Sequence, residues 1–215
     1  MHNQIINISV ALAVLAGLWS VWGFLSSRVE QTGYTVLKKT NGYEIREYPE
    51  HIVAEVKVQG PYSKSMNEGF GILAGYIFGG NTKKESIAMT APVVSKNEEE
   101  NVSEKIAMTA PVRVETENNS RIVSFAMPRS YTMQTLPIPD DSRINIKIVP
   151  AKKYAAMKFS WYRSDALIKR TEEKLLSALA EDGINVDKES SAYAGYNAPW
   201  TPPWMIRNEV MFEIK

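Results

Sequence analysis

The chain has 215 residues, with 25 Lys and Arg, 24 Asp and Glu and no cysteine, and its first charged side chain is Arg28. A near-neutral balance with both signs interspersed leaves no global field to attract nucleic acid. The lack of cysteine excludes disulfides, thiolate nucleophiles and iron–sulfur clusters. Residues 28–215 suffice for one domain with a sizeable core, so a multidomain enzyme is not expected.

The run from Ile5 to Leu25 is broken only by Asn7, Ser9, Gly17, Ser20 and Gly23. As a helix it would span about 31 Å, the thickness of a bilayer core. No Lys or Arg precedes it and no A-x-A site follows, which favours an uncleaved anchor over a signal peptide. Trp19, Trp22 and Phe24 suit an interfacial aromatic belt. The basic residues Arg28, Lys38 and Lys39 follow the span, which leans towards a cytoplasmic domain without fixing the side. Residues 1–27 are therefore expected to be a single-pass transmembrane anchor, 28–33 a linker and 34–215 the folded domain.

Two repeats organise that domain. Ile87-Ala88-Met89-Thr90-Ala91-Pro92-Val93 recurs as Ile106-Ala107-Met108-Thr109-Ala110-Pro111-Val112. Seen only twice, this reads as two strands joined by an acidic loop. A longer, approximate repeat aligns Pro49 with Pro150. Val53–Val58 then matches Tyr154–Phe159, each strand is followed by a helix pattern opening at Ser63 or Ser164, and each half ends in strands, Ile122–Met127 and Asn208–Ile214. The plan is a pseudo-two-fold duplicated unit of strands, one helix and more strands.

The first helix, about Ser63 to Phe78, places Met66, Phe70, Leu73 and Ile77 at helical spacing but contains Gly69, Gly71 and Gly75, each costing about 1 kcal/mol relative to alanine. Glycine permits close approach, either of a packed strand or of a flat ligand. The second helix is better specified: Ser164 caps it, Asp165 suits its first turn, Ile168, Thr171, Leu175, Ala178 and Leu179 share a face, and Gly183 stops it. Between the halves lies the rigid connector Leu136-Pro137-Ile138-Pro139. The loop Asn197-Ala198-Pro199-Trp200-Thr201-Pro202-Pro203-Trp204 precedes the last strand, and its tryptophans either lid the core or wall a hydrophobic site.

No catalytic constellation stands out. His51 is the only histidine of the domain, which excludes HExxH zinc chemistry, and neither a G-x-S-x-G elbow nor a Walker A loop occurs. Strand alternation puts His51 with Glu55 and Lys57 on the face opposite Ile52, Ala54, Val56 and Val58, so it is expected to face water rather than ligate iron. Met89 and Met108 read as core filler.

Several ordered stretches resemble the SOUL haem-binding family: Tyr43-Glu44-Ile45-Arg46-Glu47-Tyr48, Gly69-Phe70, Leu73-Ala74-Gly75-Tyr76-Ile77, the doubled IAMTAPV, Phe125-Ala126-Met127-Pro128, Glu181-Asp182-Gly183, Gly195-Tyr196-Asn197-Ala198-Pro199 and Arg207-Asn208-Glu209-Val210. They cover Tyr34 to Lys215, and the doubled motif with Leu136-Pro137-Ile138-Pro139 looks most like the bacterial and plant branch. The resemblance implies an α+β fold, a distorted antiparallel β-barrel with two flanking helices. It also implies a tetrapyrrole held non-covalently in a shallow hydrophobic groove beside the first helix and near the loop before the last strand. Positions matching that surface are Met66, Asn67, Phe70, Leu73, Ala74, Gly75, Trp200 and Thr201. A histidine proposed as iron ligand in one branch falls at Glu47, and basic residues thought to meet the propionates in another fall at Asn67, Gly75 and Thr201. Lys64, Lys83, Lys84 or Arg207 are candidates to replace them, and no metal ligand is assigned.

The expected function is non-covalent binding of haem or another porphyrin, for buffering or transfer at a membrane surface rather than catalysis. The expected partners are the tetrapyrrole and, through the N-terminal helix, the membrane, but not nucleic acid. A general small-molecule effector-binding or scaffold domain is the first alternative, and a tetrapyrrole-modifying enzyme the second.

Overall fold

A computed structural model describes residues 17, 19, 30–84, 102–117, 120–197 and 200–215. The first IAMTAPV copy lies outside the described residues, as does the expected membrane span apart from Gly17 and Trp19. No helix among the described residues is long and apolar enough to cross a membrane.

The elements in chain order are β1 (Glu30–Gln31), β2 (Thr35–Lys39), β3 (Glu44–Tyr48), β4 (His51–Val58), α1 (Tyr62–Ile77), β5 (Asn81–Thr82), β6 (Thr109–Ala110), β7 (Val112–Glu117), β8 (Ser120–Ala126), β9 (Ile138–Pro139), β10 (Ile144–Val149), β11 (Lys152–Phe159), α2 (Asp165–Glu181), β12 (Ala192–Gly195), a 3-10 turn (Pro203–Met205) and β13 (Asn208–Glu213). Among the described residues nine strands form one antiparallel sheet in the order β10-β4-β8-β7-β12-β13-β11-β3-β2. The expected barrel is thus an open, curled half-barrel with β10 and β2 at its edges.

The duplication explains that order. Exchanging β3 with β10, β4 with β11, β7 with β12 and β8 with β13 maps eight of the nine strands onto their own reverse, about an axis between β7 and β12, and leaves the edge strand β2 without a counterpart. Each unit's leading strand crosses over: β3 pairs with β11, and β10 with β4. The helices pack on one face, α1 against β4 and β8, α2 against β11 and β13. Their shared core includes Ala54, Val56, Leu73, Ile77, Val123, Phe125, Ile168, Leu175, Val210 and Phe212.

The helix starts differ from one another as the side chains dictate. The Ser164 hydroxyl accepts from the Leu167 amide at 3.2 Å. Ser63, by contrast, is the second residue of α1, which begins after Pro61 with no side-chain cap of its own. Asp165 fills the gap, its carboxylate accepting from the Ser63 amide at 3.1 Å and so joining the two helix N-termini.

Two sequence expectations change. The second IAMTAPV copy is not one continuous strand: Thr109 and Ala110 pair in parallel with Glu30 and Gln31 of the expected linker, and after Pro111 its last residue, Val112, opens β7 between Phe125 and Gly195. Its start runs across the end of α1, where the Ile106 amide donates to the Ile77 carbonyl at 2.9 Å and the Ile106 side chain enters the core. Second, the polar alternation of the strands does not mark a solvated face. The sheet curls so that Tyr48, Tyr154, Ala156, Ala192, Ala194, Tyr196 and Met211 form a second apolar cluster on the concave side.

Charges are buried in that concave layer. Arg46 and Glu209 are both fully buried, and they form a bidentate pair at 2.6 and 3.0 Å. Arg207 adds two bonds to Glu209 at 2.9 and 2.8 Å, and the Tyr196 hydroxyl donates to it at 2.7 Å. Burial alone would raise the Glu209 carboxyl, but the Arg46 hydrogen bonds and charge outweigh it and hold the group below its ordinary value.

Candidate functional site

Met66, Asn67 and Phe70 come together on α1 as one wall of a cleft of about 190 Å³, completed by Val112, Tyr162, Arg163, Tyr193, Gly195, Asn197, Ile206 and Asn208. Helical spacing puts Met66 and Phe70 one turn apart. Phe70 is fixed edge-on against Phe125 of β8, with ring centroids 5.4 Å apart. Asn197 opens the Trp/Pro loop and Ile206 follows the 3-10 turn that closes it, so the loop is anchored at the site from both sides.

The polar groups of the cleft are ordered. Arg163 donates from Nη2 to Asn67 Oδ1 at 2.6 Å, while its Nε is buried with no hydrogen-bond partner. Tyr193 donates to Asn208 Oδ1 at 2.6 Å. Burial pushes the Tyr193 phenol up to about 12, against the opposing pull of Arg163, so it stays neutral near pH 7. A buried donor without a partner is costly, roughly 1–3 kcal/mol. An acidic ligand group placed against Arg163 would relieve that cost.

The remaining sequence candidates lie elsewhere. Leu73 is fully buried in the core beneath α1. Ala74 is half-buried and Gly75 exposed, farther along the same helix. Thr201 is buried with its hydroxyl unpartnered, and Trp200 is exposed, its carbonyl accepting from Trp19 Nε1 at 2.9 Å. The three glycines divide. A Cβ on Gly69 would lie 2.5 Å from Val123, so this glycine serves close packing on β8, whereas Gly71 and Gly75 have open space where a Cβ would stand.

The candidate basic substitutes are mostly engaged. Arg207 belongs to the concave network, Lys84 donates to the Met133 carbonyl at 2.8 Å, and Lys83 lies 4.0 Å from Glu104. Arg163 is the cation that sequence reasoning missed, because it sits in an irregular stretch before α2 where no periodicity assigns it a face. His51 also departs from expectation: it is half-buried, with Nδ1 2.8 Å from the Pro49 carbonyl, and it lines a cavity of about 570 Å³.

The sequence profile described as SOUL heme-binding protein matches residues 29–104 and 96–213. The chain belongs to the SOUL haem-binding family. Heme-binding protein 1 of Xenopus laevis is 27% identical over 202 residues, which cover 93% of this chain and 94% of that protein. Among solved structures, the EcmrR C-terminal domain superposes with a TM-score of 0.56 at 11% identity, covering 85% of this chain and 98% of that one. EcmrR in its complex with DNA gives 0.55 at 12% identity, over all of this chain and 70% of that one. These two likenesses concern the fold. Family membership supports a haem or tetrapyrrole ligand and a binding role.

Proposed function

We propose that the protein binds haem or a related tetrapyrrole non-covalently in the α1 cleft and that it buffers or transfers the ligand at a membrane surface, without catalysing a reaction on it. The observation that carries this reading is the cleft itself: in a SOUL-family chain, apolar Met66, Phe70 and Ile206 surround a cation with a free buried donor, Arg163. A volume of about 190 Å³ is below the roughly 300–1,000 Å³ that encloses a drug-sized ligand. It therefore suits one edge of a macrocycle, the rest lying across the exposed stripe of Asn67, Gly71 and Gly75. Partial enclosure favours exchange over permanent retention.

Titration of the full chain in lipid nanodiscs with haemin should give a saturable Soret change at one equivalent. Phe70→Arg should lower the affinity on the order of tenfold or more by putting a charge on an apolar wall. A linear, non-saturating absorbance would sink the proposal.

The membrane part rests on the apolar run 5–25 and on exposed aromatics. Trp161, Trp200 and Trp204 are each at least half exposed, and the rings of Trp19 and Trp204 meet at 5.7 Å. Tryptophan at a lipid interface is satisfied at both its apolar and polar ends. Removing residues 1–27 should abolish recovery in the membrane fraction and leave haemin affinity within about twofold. Membrane recovery of the truncated chain would refute the anchor.

A further inference from the structure

We propose that the concave face of the sheet carries a second ligand site, which takes an amphipathic monocarboxylate through the guanidinium of Arg113. This site lies on the opposite side of the sheet from the α1 cleft and does not depend on the tetrapyrrole reading.

Arg113 projects from β7 into the concave layer. It is only 6% exposed, and its Nη2 is buried with no hydrogen-bond partner. No carboxylate lies within 4 Å of its guanidinium nitrogens among the described residues. Its neighbours are aromatic faces: the guanidinium carbon lies 4.5 Å from the Tyr48 ring centroid and 5.4 Å from that of Tyr154. Such stacking fixes the plane of the fork but leaves its Nη2 donor unfilled. A buried charge without a counter-ion is among the most expensive features a fold can keep. The contrast with Arg46 is direct, since that guanidinium in the same layer is saturated by Glu209 and Glu44.

Arg113 lines a cleft of about 220 Å³ that also has Lys147, Lys152, Glu55 and Glu115 on its walls. Three of these four charges are already matched: Lys147 pairs with Glu55 at 2.8 Å and Lys152 with Glu213 at 2.7 Å. What remains is Arg113 with Glu115, a neutral balance, so it is the unfilled Nη2 donor rather than net charge that invites an anion, and every further negative charge brought in also meets Glu115. A carboxylate is therefore favoured over a dianionic phosphate, and its two oxygens match the planar fork.

The second half of the ligand follows from what adjoins the cleft. His51 and Ile148 line both the Arg113 cleft and the 570 Å³ cavity, whose other walls include Ile52, Met127, Tyr131 and Met133, with Glu30, Glu50 and Arg129 among them. A carboxylate on Arg113 can thus extend an aryl or alkyl group past His51 into a mainly apolar chamber. The two compartments together describe an amphiphile with one acidic end.

The test is calorimetric titration of the full chain in nanodiscs, against empty nanodiscs, with phenylacetate, acetate and phenylethylamine. Phenylacetate should bind saturably and more tightly than acetate, and the amine of similar shape should not bind. Arg113→Met should weaken phenylacetate at least about tenfold, the loss of a charged hydrogen-bonded pair, whereas Phe70→Arg should leave it unchanged. Should Arg113→Met fail to fold, Lys147→Glu on the exposed edge strand β10 must still weaken binding by reversing a charge in the cleft. Equal binding of amine and acid, affinity retained in both cleft variants, or loss of phenylacetate in Phe70→Arg would overturn the assignment.

Discussion

Alanine substitutions at the three glycines of α1 should have opposite effects on stability and should separate packing from ligand contact. At Gly71 and Gly75 nothing stands within 4 Å of an added Cβ, so each alanine should gain the helix-propensity difference of about 1 kcal/mol. For a protein of this size each such gain raises the melting temperature by roughly 2–4 °C. At Gly69 the new methyl would lie 2.5 Å from the Cβ of Val123, a fully buried residue of a central strand. Overpacking of this kind costs about 1–3 kcal/mol, enough to cancel or exceed the propensity gain and lower the melting temperature. If a macrocycle lies across the exposed stripe, Gly71→Ala and Gly75→Ala should also weaken haemin binding while they stabilise the fold. Thermal melts followed by circular dichroism, paired with Soret titrations of the same variants, give both readings. Stabilised variants with wild-type haemin affinity would refute ligand contact along the stripe, and a destabilised Gly75→Ala would refute the open space inferred there.

Glu209→Gln should cost about 3–5 kcal/mol, because it leaves Arg46 buried with only part of its charge compensated; the midpoint of urea unfolding measures it, and a change below 1 kcal/mol would contradict the burial of the pair. His51 titrates below its ordinary value of 6.5, chiefly through burial, with the nearby Arg113 acting in the same direction and the Pro49 carbonyl opposing. Below pH 6.5 the unfolded chain takes up a proton that folded His51 resists, so stability should fall as the pH drops from 7.5 to 5.5, and His51→Gln should flatten that dependence in urea melts at the two values.

The duplication was legible because a matching strand and helix recur at a nearly constant offset, and β4 and β11 lie where that offset puts them. The cap at Ser164 and the stop at Gly183, with φ of 67°, were equally local and equally legible. What strand alternation could not convey was curvature. Arg46, Arg113 and Glu209 occupy positions that would face water on a flat sheet, but the curl closes over them and makes an interior of that face. His51 misled for the same reason. In the α1 cleft, Met66, Asn67 and Phe70 share one helix surface and could be read together. Arg163, Tyr193 and Asn208 reach the cleft from three separate elements, so only the assembled fold brings them to it.

The two halves also serve as an internal control for the glycine stripe. The buried positions Met66, Gly69, Leu73 and Ile77 of α1 match Ile168, Thr171, Leu175 and Leu179 of α2. In that register Asn67, Gly71 and Gly75 correspond to Lys169, Glu173 and Ser177, and all six are exposed. The same architectural position is therefore filled on α2 by the charged and polar residues of an ordinary solvated helix. Nothing in the duplicated fold demands two glycines there, and a helix that keeps them forgoes about 2 kcal/mol. Packing explains Gly69, because Val123 leaves no room. It does not explain the bare strip beside the cleft, whereas a flat ligand resting on the helix backbone would.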